Sequence, residues 1–470
     1  MYAGKSTKIV ATIGPASDQP EVIAKLINAG VNVFRFNMKH GTLDWHKERI
    51  QRVLEEAEKL KIQVSILLDL QGPELRIETF EHQDVVINPG NDVVFSPYLT
   101  TDPNVVCIPH HLIFKNIKVG DRILVDDGFS EFLVKEKRGD QIVAEVIDGK
   151  VIKDHKGVNF PGQHVDLPSL IEADLKRLDL AAQHHIDFIA LSFCRSKEDV
   201  AILKKEMKGR NITADVIGKI ENQEAVDNMD EIIEATEGIM IARGDLGIEV
   251  PYRELTYIQK TLIDKCRNAH KPVIVATQML QSMIENPLPT RAEVSDVANA
   301  IFDGTDAIML SGETASGSYP VKAVEAMTQI ALFNEDKVQV KPVVCDFKTQ
   351  LTLLVNAVNS MVHKSNDVKI DALVVFTETG KSARALSSYR LRVPLIAVTR
   401  DEKVVGKLNL CYGVKAFHMD FPEGRFELPT NIIEKLIKIG ALTKGQRVIM
   451  THGTKWREAG KTNTLTLIEI

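Results

Sequence analysis

Eight short apolar runs, each closed by polar or glycine residues and most followed by a stretch with helical spacing, restrict the fold more than any other feature. They cover residues 7–13, 31–36, 63–69, 187–191, 215–218, 238–242, 272–276 and 306–310. Runs that are apolar almost throughout, with helices between them, predict parallel strands buried on both faces. Eight such units predict a closed (β/α)8 barrel, whose chemistry sits at the C-terminal strand ends. The helix signals agree. Residues 20–29 end at Gly30, a C-cap, and Thr290 with Glu293 reads as a capping box before Val294, Val297, Ala298 and Ile301 at helical spacing.

Two regions break the alternation. Between about residues 76 and 165 the texture changes to short alternating strands (84–87, 92–95, 121–126, 129–135, 141–147) separated by Gly, Asp and Asn turns. This predicts an all-β, barrel-like insert able to act as a lid. After a break around 336–347, strands at 372–376, 394–398, 414–417, 447–451 and 464–468 alternate with helices, predicting an open α/β domain. The expected divisions are 1–72 and 167–338 for the barrel, 73–166 for the insert and 339–470 for the last domain.

Composition excludes several classes. A net charge of -6 disfavours a nucleic-acid partner. No apolar run approaches the roughly 18 residues of a membrane span, and the first residues lack a signal-peptide core. Five scattered cysteines, odd in number and without CxxC spacing, predict neither disulfides nor a zinc site, and a reducing cytoplasm is the expected location.

The strand exits carry Arg35 and Asn37, Asp69, Ser192 and Arg195, Lys219 and Glu221, Asp245, Thr277 and Gln278, and Ser311 and Glu313. One polar exit says little, whereas a set at nearly every strand predicts an active site. Glu221 and Asp245 follow adjacent strands and suit a divalent cation such as Mg²⁺ or Mn²⁺; the bland reading is two solvated loop acids. Gly244 and Gly247 let a backbone approach an anion closely. Lys219 ends an apolar strand, where an ammonium can bridge a transferring phosphoryl group; the bland reading is a snorkelling surface lysine.

Longer stretches are recognisable. STKIVATIGPAS, GKIENQEAV, IMIARGDLGIEVP, PVIVATQMLQSM and NPLPTRAEVSDVANAIFDGTDAIMLSGETASGSYP resemble the pyruvate kinase family. VDDGFS and HKGVNFPG in the insert, with VVFTETGKSAR and GKTNT near the end, extend the resemblance over essentially the whole chain. It implies a barrel, a β lid and a C-terminal α/β domain, and transfer of the phosphoryl group of phosphoenolpyruvate to ADP, giving pyruvate and ATP. It implies Lys219 at the transferring phosphoryl, Arg35 facing it, and Glu221 and Asp245 as Mg²⁺ ligands. Ala242, Arg243, Gly244 and Asp245, through their backbone, and Thr277 would cradle the substrate carboxylate. Asn37, His40, Arg76, Asp127 and Lys156 would serve the nucleotide and lid, and Thr277, Ser311 and Glu313 a proton relay. A homotetramer is the family precedent.

The chain departs from the family at two strand ends. Asn37-Met38-Lys39-His40 stands where a serine follows the aromatic residue, and Asp69-Leu70-Gln71 where a threonine and a lysine follow the aspartate. Serine and threonine are oxygen ligands of the family's K⁺ site, made up here of Asn37, Lys39, Asp69 and Leu70. Lys39, paired with Asp69 or Glu74, is expected to replace K⁺. The alternatives are a surface lysine beside a K⁺ with fewer ligands, or impaired activity, since Gln71 also replaces a lysine. In the last domain Thr377, Thr379, Gly380, Lys381 and Ser382, with Lys455, Trp456 and Arg457, resemble a loop for a phosphorylated effector, or else a turn with no ligand. The rival functions are a lyase or aldolase acting on phosphoenolpyruvate or pyruvate, and a weakly active regulatory relative.

Overall fold

A computed structural model describes residues 4–163, 167–344, 349–364, 368–421, 429–454, 456, 460 and 462–470. Eight parallel strands close into a barrel: β1 (Lys8–Thr12), β2 (Val33–Asn37), β3 (Ser65–Asp69), β4 (Phe188–Leu191), β5 (Asp215–Ile220), β6 (Gly238–Ala242), β7 (Val273–Ala276) and β8 (Ala307–Leu310). Each pairs with its sequence neighbours, and β1 pairs with β8. Their side chains alternate, so Val10, Val33, Leu67, Ile217, Met240 and Ile274 fill the interior. The opposite positions, among them Ile9, Phe34, Ile66 and Ile239, pack against the helices. Leu410, from the C-terminal part of the chain, joins the interior cluster.

The helix signals act as expected. Gly30 sits at φ 112 as a left-handed cap, and the Thr290–Glu293 capping box forms. Of the predicted apolar stripe on Arg291–Phe302, Val297 and Ile301 are buried whereas Val294 is exposed. Between β5 and β6 the chain forms two helices, Gln223–Asp227 and Met229–Ala235, that meet at Asn228. There the Asn228 side chain donates to the carbonyl of Arg195 (3.0 Å), a tertiary contact that ties the junction to the loop after β4.

Between β3 and β4 a six-stranded sheet runs in the order Val158–Asn159, Arg122–Val125, Ser130–Arg138, Gln141–Asp148, Asp92–Ser96, Val105–Cys107. It is open, not barrel-like, and it carries a short helix, His111–Asn116, with Ile113 and Phe114 in its core. The C-terminal region forms a five-stranded sheet in the order Val414–His418, Leu395–Thr399, Ala372–Phe376, Arg447–Gly453, Thr462–Glu469. Its last strand is antiparallel and the others are parallel. No helix among the described residues is long and apolar enough to cross a membrane.

Candidate active site

The C-terminal ends of β2 to β6 converge on one ammonium. Lys219 Nζ lies 2.7 Å from Glu221 Oε1, 3.2 Å from Asp69 Oδ1 and 2.8 Å from Ser192 Oγ. Asp69 is shared, because its Oδ2 accepts from Arg35 Nε at 2.6 Å, and Arg35 Nη1 donates to Thr12 Oγ1. Ser192 donates to the carbonyl of Leu70 at 2.6 Å, and the Phe193 N–H donates to Glu221 Oε2 at 2.7 Å. Phe193 holds φ 53, a left-handed conformation that is costly for an aromatic residue. β5 therefore supplies the cation, and β3 and β4 fix where it points.

Electrostatics sharpen this centre. Burial alone would lower the Lys219 pKa, but Asp69, Glu221 and Asp245 outweigh it and hold the amine charged. Burial would raise Asp69; Lys219 and Arg35 overcome it and keep the carboxylate ionised. Glu221 is different. Burial, with Asp245 adding to it, pushes its carboxyl up to about 7 against the pull of Lys219. Burial likewise raises Asp245, with Asp127 acting in the same direction. No hydrogen bond or ion pair reaches the Asp245 carboxylate among the described residues. Two crowded acids, one without a partner, are a donor set suited to a divalent cation.

Asp245 sits in the first turn of helix Arg243–Glu249, which starts directly at the end of β6. The Gly244 N–H donates to Thr277 Oγ1 (2.7 Å), and Thr277 is itself left-handed at φ 67. A Cβ on Gly244 would meet that hydroxyl at 3.3 Å. The Arg243 side chain turns away, onto Asp296 (2.7 Å) and the carbonyl of Thr277 (2.9 Å), so only its backbone is left for the site. Glu313, fully buried, accepts from the N–H groups of Leu280 (3.0 Å) and Ser311 (2.8 Å). Its carboxylate thus holds the β7 and β8 ends in place. Ser311 Oγ is buried without a hydrogen-bond partner among the described residues.

A cleft with about 840 Å³ of empty space separates the inserted sheet from the barrel, with Asp127, Phe160, Phe193, Glu221 and Asp245 among its walls. Arg76 pairs with Glu74 (2.8 Å) and donates to the His155 carbonyl; Lys156 pairs with Asp126 (2.8 Å). Lys39 Nζ lies 2.9 Å from Glu74 Oε2. Of the two partners expected for Lys39 the structure therefore selects Glu74, because Asp69 is already held by Arg35 and Lys219. Asn37 Oδ1 accepts from the Lys39 N–H, while burial, then Lys39 and Arg35, lower the His40 pKa. Leu70 is buried in the barrel core, and Gln71 accepts from Arg177 (2.9 Å) instead of facing the cleft. Sequence reasoning put Ser192 at a strand end without a role and passed over Thr12 and Phe193. Their signal is position alone, as the residues at or just after strand ends.

A second pocket lies in the C-terminal region, lined by Thr377, Thr379, Lys381, Ser382, Trp456 and Thr462. Gly380 caps helix Lys381–Ser387 at φ 81. Trp456 is buried, stacked on His452 at 4.9 Å and packed edge-on against Phe376, so it is wall more than platform. Arg400 pairs with Glu378 (2.9 Å) beside the pocket and had no part in the sequence reading. Arg457 and Lys455 lie outside the described residues.

A closed β/α barrel that gathers a buried lysine and acidic pair under an inserted β sheet defines a barrel protein with its polar site at the C-terminal strand ends. The family model for the pyruvate kinase barrel domain matches residues 4–324, and that for the pyruvate kinase alpha/beta domain matches 356–468. The chain is 41% identical to the pyruvate kinase of Bacillus licheniformis, over 98% of this chain and 80% of that protein. It is 40% identical to that of Staphylococcus aureus strain MRSA252 and 39% to that of Staphylococcus epidermidis, with the same coverage. The chain belongs to the pyruvate kinase family.

Proposed function

We propose that the chain transfers the phosphoryl group of phosphoenolpyruvate to ADP, giving pyruvate and ATP. One observation carries the reading: the buried Lys219 ammonium lies 2.7 Å from Glu221 and 3.2 Å from Asp69, beside a cleft whose wall includes Glu221 and Asp245. Phosphoryl transfer needs little covalent help from a protein and much positioning and charge stabilisation. Lys219 supplies a fixed positive charge to the transferring group, and Arg35, braced by Asp69 and Thr12, supplies a second. Glu221 and Asp245 are the residues to hold Mg²⁺ or Mn²⁺, which when bound neutralises phosphoryl and enolate oxygens. The backbone from Ala242 to Asp245, with Thr277, orients the substrate carboxylate. Thr277 and the Ser311 hydroxyl serve proton delivery to carbon, with Glu313 as the clamp that sets Ser311.

Asn37, His40, Arg76, Asp127 and Lys156 are assigned to the nucleotide and the closing lid, supported by Asp127 in the cleft wall, by Arg76 and Lys156 where the chain segments at the base of the inserted sheet pair, and for Asn37 and His40 by the family resemblance. Lys39 takes the place of K⁺, supported by its ion pair with Glu74 and by the burial of Leu70. The C-terminal pocket is assigned to a phosphorylated effector, supported by Lys381 and the hydroxyls around it. Calorimetry with sugar phosphates tests that assignment; no heat and unchanged substrate cooperativity would sink it. A homotetramer, tested by mass measurement, and a cytoplasmic location complete the reading. The central test is a coupled assay with phosphoenolpyruvate, ADP and Mg²⁺, followed to pyruvate. No pyruvate above the enzyme-free control would reject the assignment.

A further inference from the structure

We propose that the base of the lid binds a transition-metal ion, for which Zn²⁺ is the probe, through His82 Nδ1, Asp154 Oδ2 and His155 Nε2. One ligand atom from each of the three residues lies within 4.8 Å of those of the other two. His82 Nδ1 is 2.8 Å and His155 Nε2 is 3.3 Å from the same carboxylate oxygen. With metal–ligand bonds of about 2.0–2.2 Å, neighbouring ligand atoms of a tetrahedral site stand roughly 3.3–3.5 Å apart. The cluster is thus near the required spacing before any ion arrives.

The surroundings suit a ligand set. Asp154 keeps its second oxygen, Oδ1, on the N–H (2.8 Å) and hydroxyl (3.2 Å) of Thr79, which fixes the carboxylate while leaving Oδ2 to the histidines. The imidazoles are 75% and 60% exposed, so an ion has free access and water can complete its shell. Two imidazoles and a carboxylate favour Zn²⁺, Co²⁺ or Ni²⁺, whereas Mg²⁺ prefers an all-oxygen shell. This centre is therefore chemically separate from Glu221 and Asp245.

The site also joins two strands of chain. His82 lies on the segment entering the inserted sheet, and Asp154 and His155 lie just before Val158–Asn159, the last strand of that sheet in chain order. The two segments run together at the Arg76–Gly157 bridge, with the Ile77 N–H on the Lys156 carbonyl (2.9 Å). Glu81, His82 and His155 all hold left-handed backbone, at φ 50, 58 and 59. A bound ion cross-links these two segments beside Arg76 and Lys156.

The test is Zn²⁺ titration of the full chain with Mg²⁺ saturating, together with the visible absorption of Co²⁺ as a reporter of nitrogen ligation. The expected result is one Zn²⁺ equivalent, weakened at least roughly 100-fold in the double variant His82→Gln/His155→Gln and about tenfold in Thr79→Val. Circular dichroism and Mg²⁺-supported turnover of the double variant serve as folding controls. Binding that survives both histidine substitutions, or no binding at micromolar Zn²⁺, overturns the proposal.

Discussion

Lys39 Nζ stands 2.9 Å from Glu74 Oε2, and the same ammonium favours ionisation of Asp245 across the cleft. Its charge therefore already acts on the acidic pair. Turnover is expected to be equal within about twofold in tetramethylammonium and in potassium buffers. Lys39→Ser removes a partly exposed ion pair of about 0.2–1 kcal/mol, and the lost positive charge is expected to lower turnover up to about fivefold if all of it is felt at the transition state. Added K⁺ should recover part of that loss in the variant but not in the parent. Strong K⁺ activation of the parent would sink the idea.

Glu221 offers a proton signal. Its folded pKa, about 7, lies above the ordinary 4.5. The folded chain without metal therefore binds more protons than the unfolded chain between those values, and its stability falls as pH rises through that window. A divalent cation must displace that proton. Mg²⁺ binding is expected to release protons below about pH 7, and its apparent affinity should weaken as pH falls. Calorimetry in buffers of different ionisation enthalpy measures the release. Glu221→Gln should remove most of it, and an unchanged release would point to another group.

Much of the fold was legible because barrel strands buried on both faces leave long apolar runs. All eight appeared within a few residues of their observed ends, and Thr290 with Glu293 announced its helix through a local bond network. Long-range contacts were not legible: where two helices meet at Asn228, its side chain bonds to Arg195, a residue 33 positions away. The short lid strands Val151–Ile152 and Val158–Asn159 gain their pairing from distant partners, Val85–Val86 and Arg122–Val125, and leave little local pattern. At the site, Lys219, Glu221 and Asp245 stood out as charges beside apolar runs. The choice of Glu74 over Asp69 by Lys39 depended on Arg35 filling Asp69, which no spacing rule encodes.

Lys219 is also a structural counter-ion. Removing it leaves Asp69 beside Glu221, buried, with Arg35 as the remaining cation on Asp69. Lys219→Met is expected to abolish turnover and to cost about 3–5 kcal/mol of stability. Mg²⁺ should restore more stability to the variant than to the parent, since it brings charge to the same acids. Thermal melts with and without Mg²⁺ measure the difference. Equal Mg²⁺ stabilisation of both chains would mean that the acids are not coupled to the lysine as the geometry requires.

The barrel and the C-terminal region are joined by a buried pair that makes a separate prediction. Arg390 Nη2 lies 2.8 Å from Asp306 Oδ2, and both side chains are almost wholly buried. Arg390 also donates to the carbonyls of Gly304 (2.6 Å) and Ser387 (2.8 Å), and Asp306 Oδ1 accepts the Tyr412 N–H. Both carboxylate oxygens and four of the five guanidinium N–H groups are thus engaged, which is the condition under which a buried ion pair is tolerated. Arg390→Met leaves the Asp306 charge without its cation and should cost about 3–5 kcal/mol. Asp306→Asn on that background removes the stranded charge while keeping an acceptor for Tyr412, so the double variant should regain part of the loss. Denaturant unfolding of the parent, both single variants and the double variant measures the coupling. A double variant no more stable than Arg390→Met would show that lost packing around the guanidinium, not the orphaned carboxylate, dominates the cost.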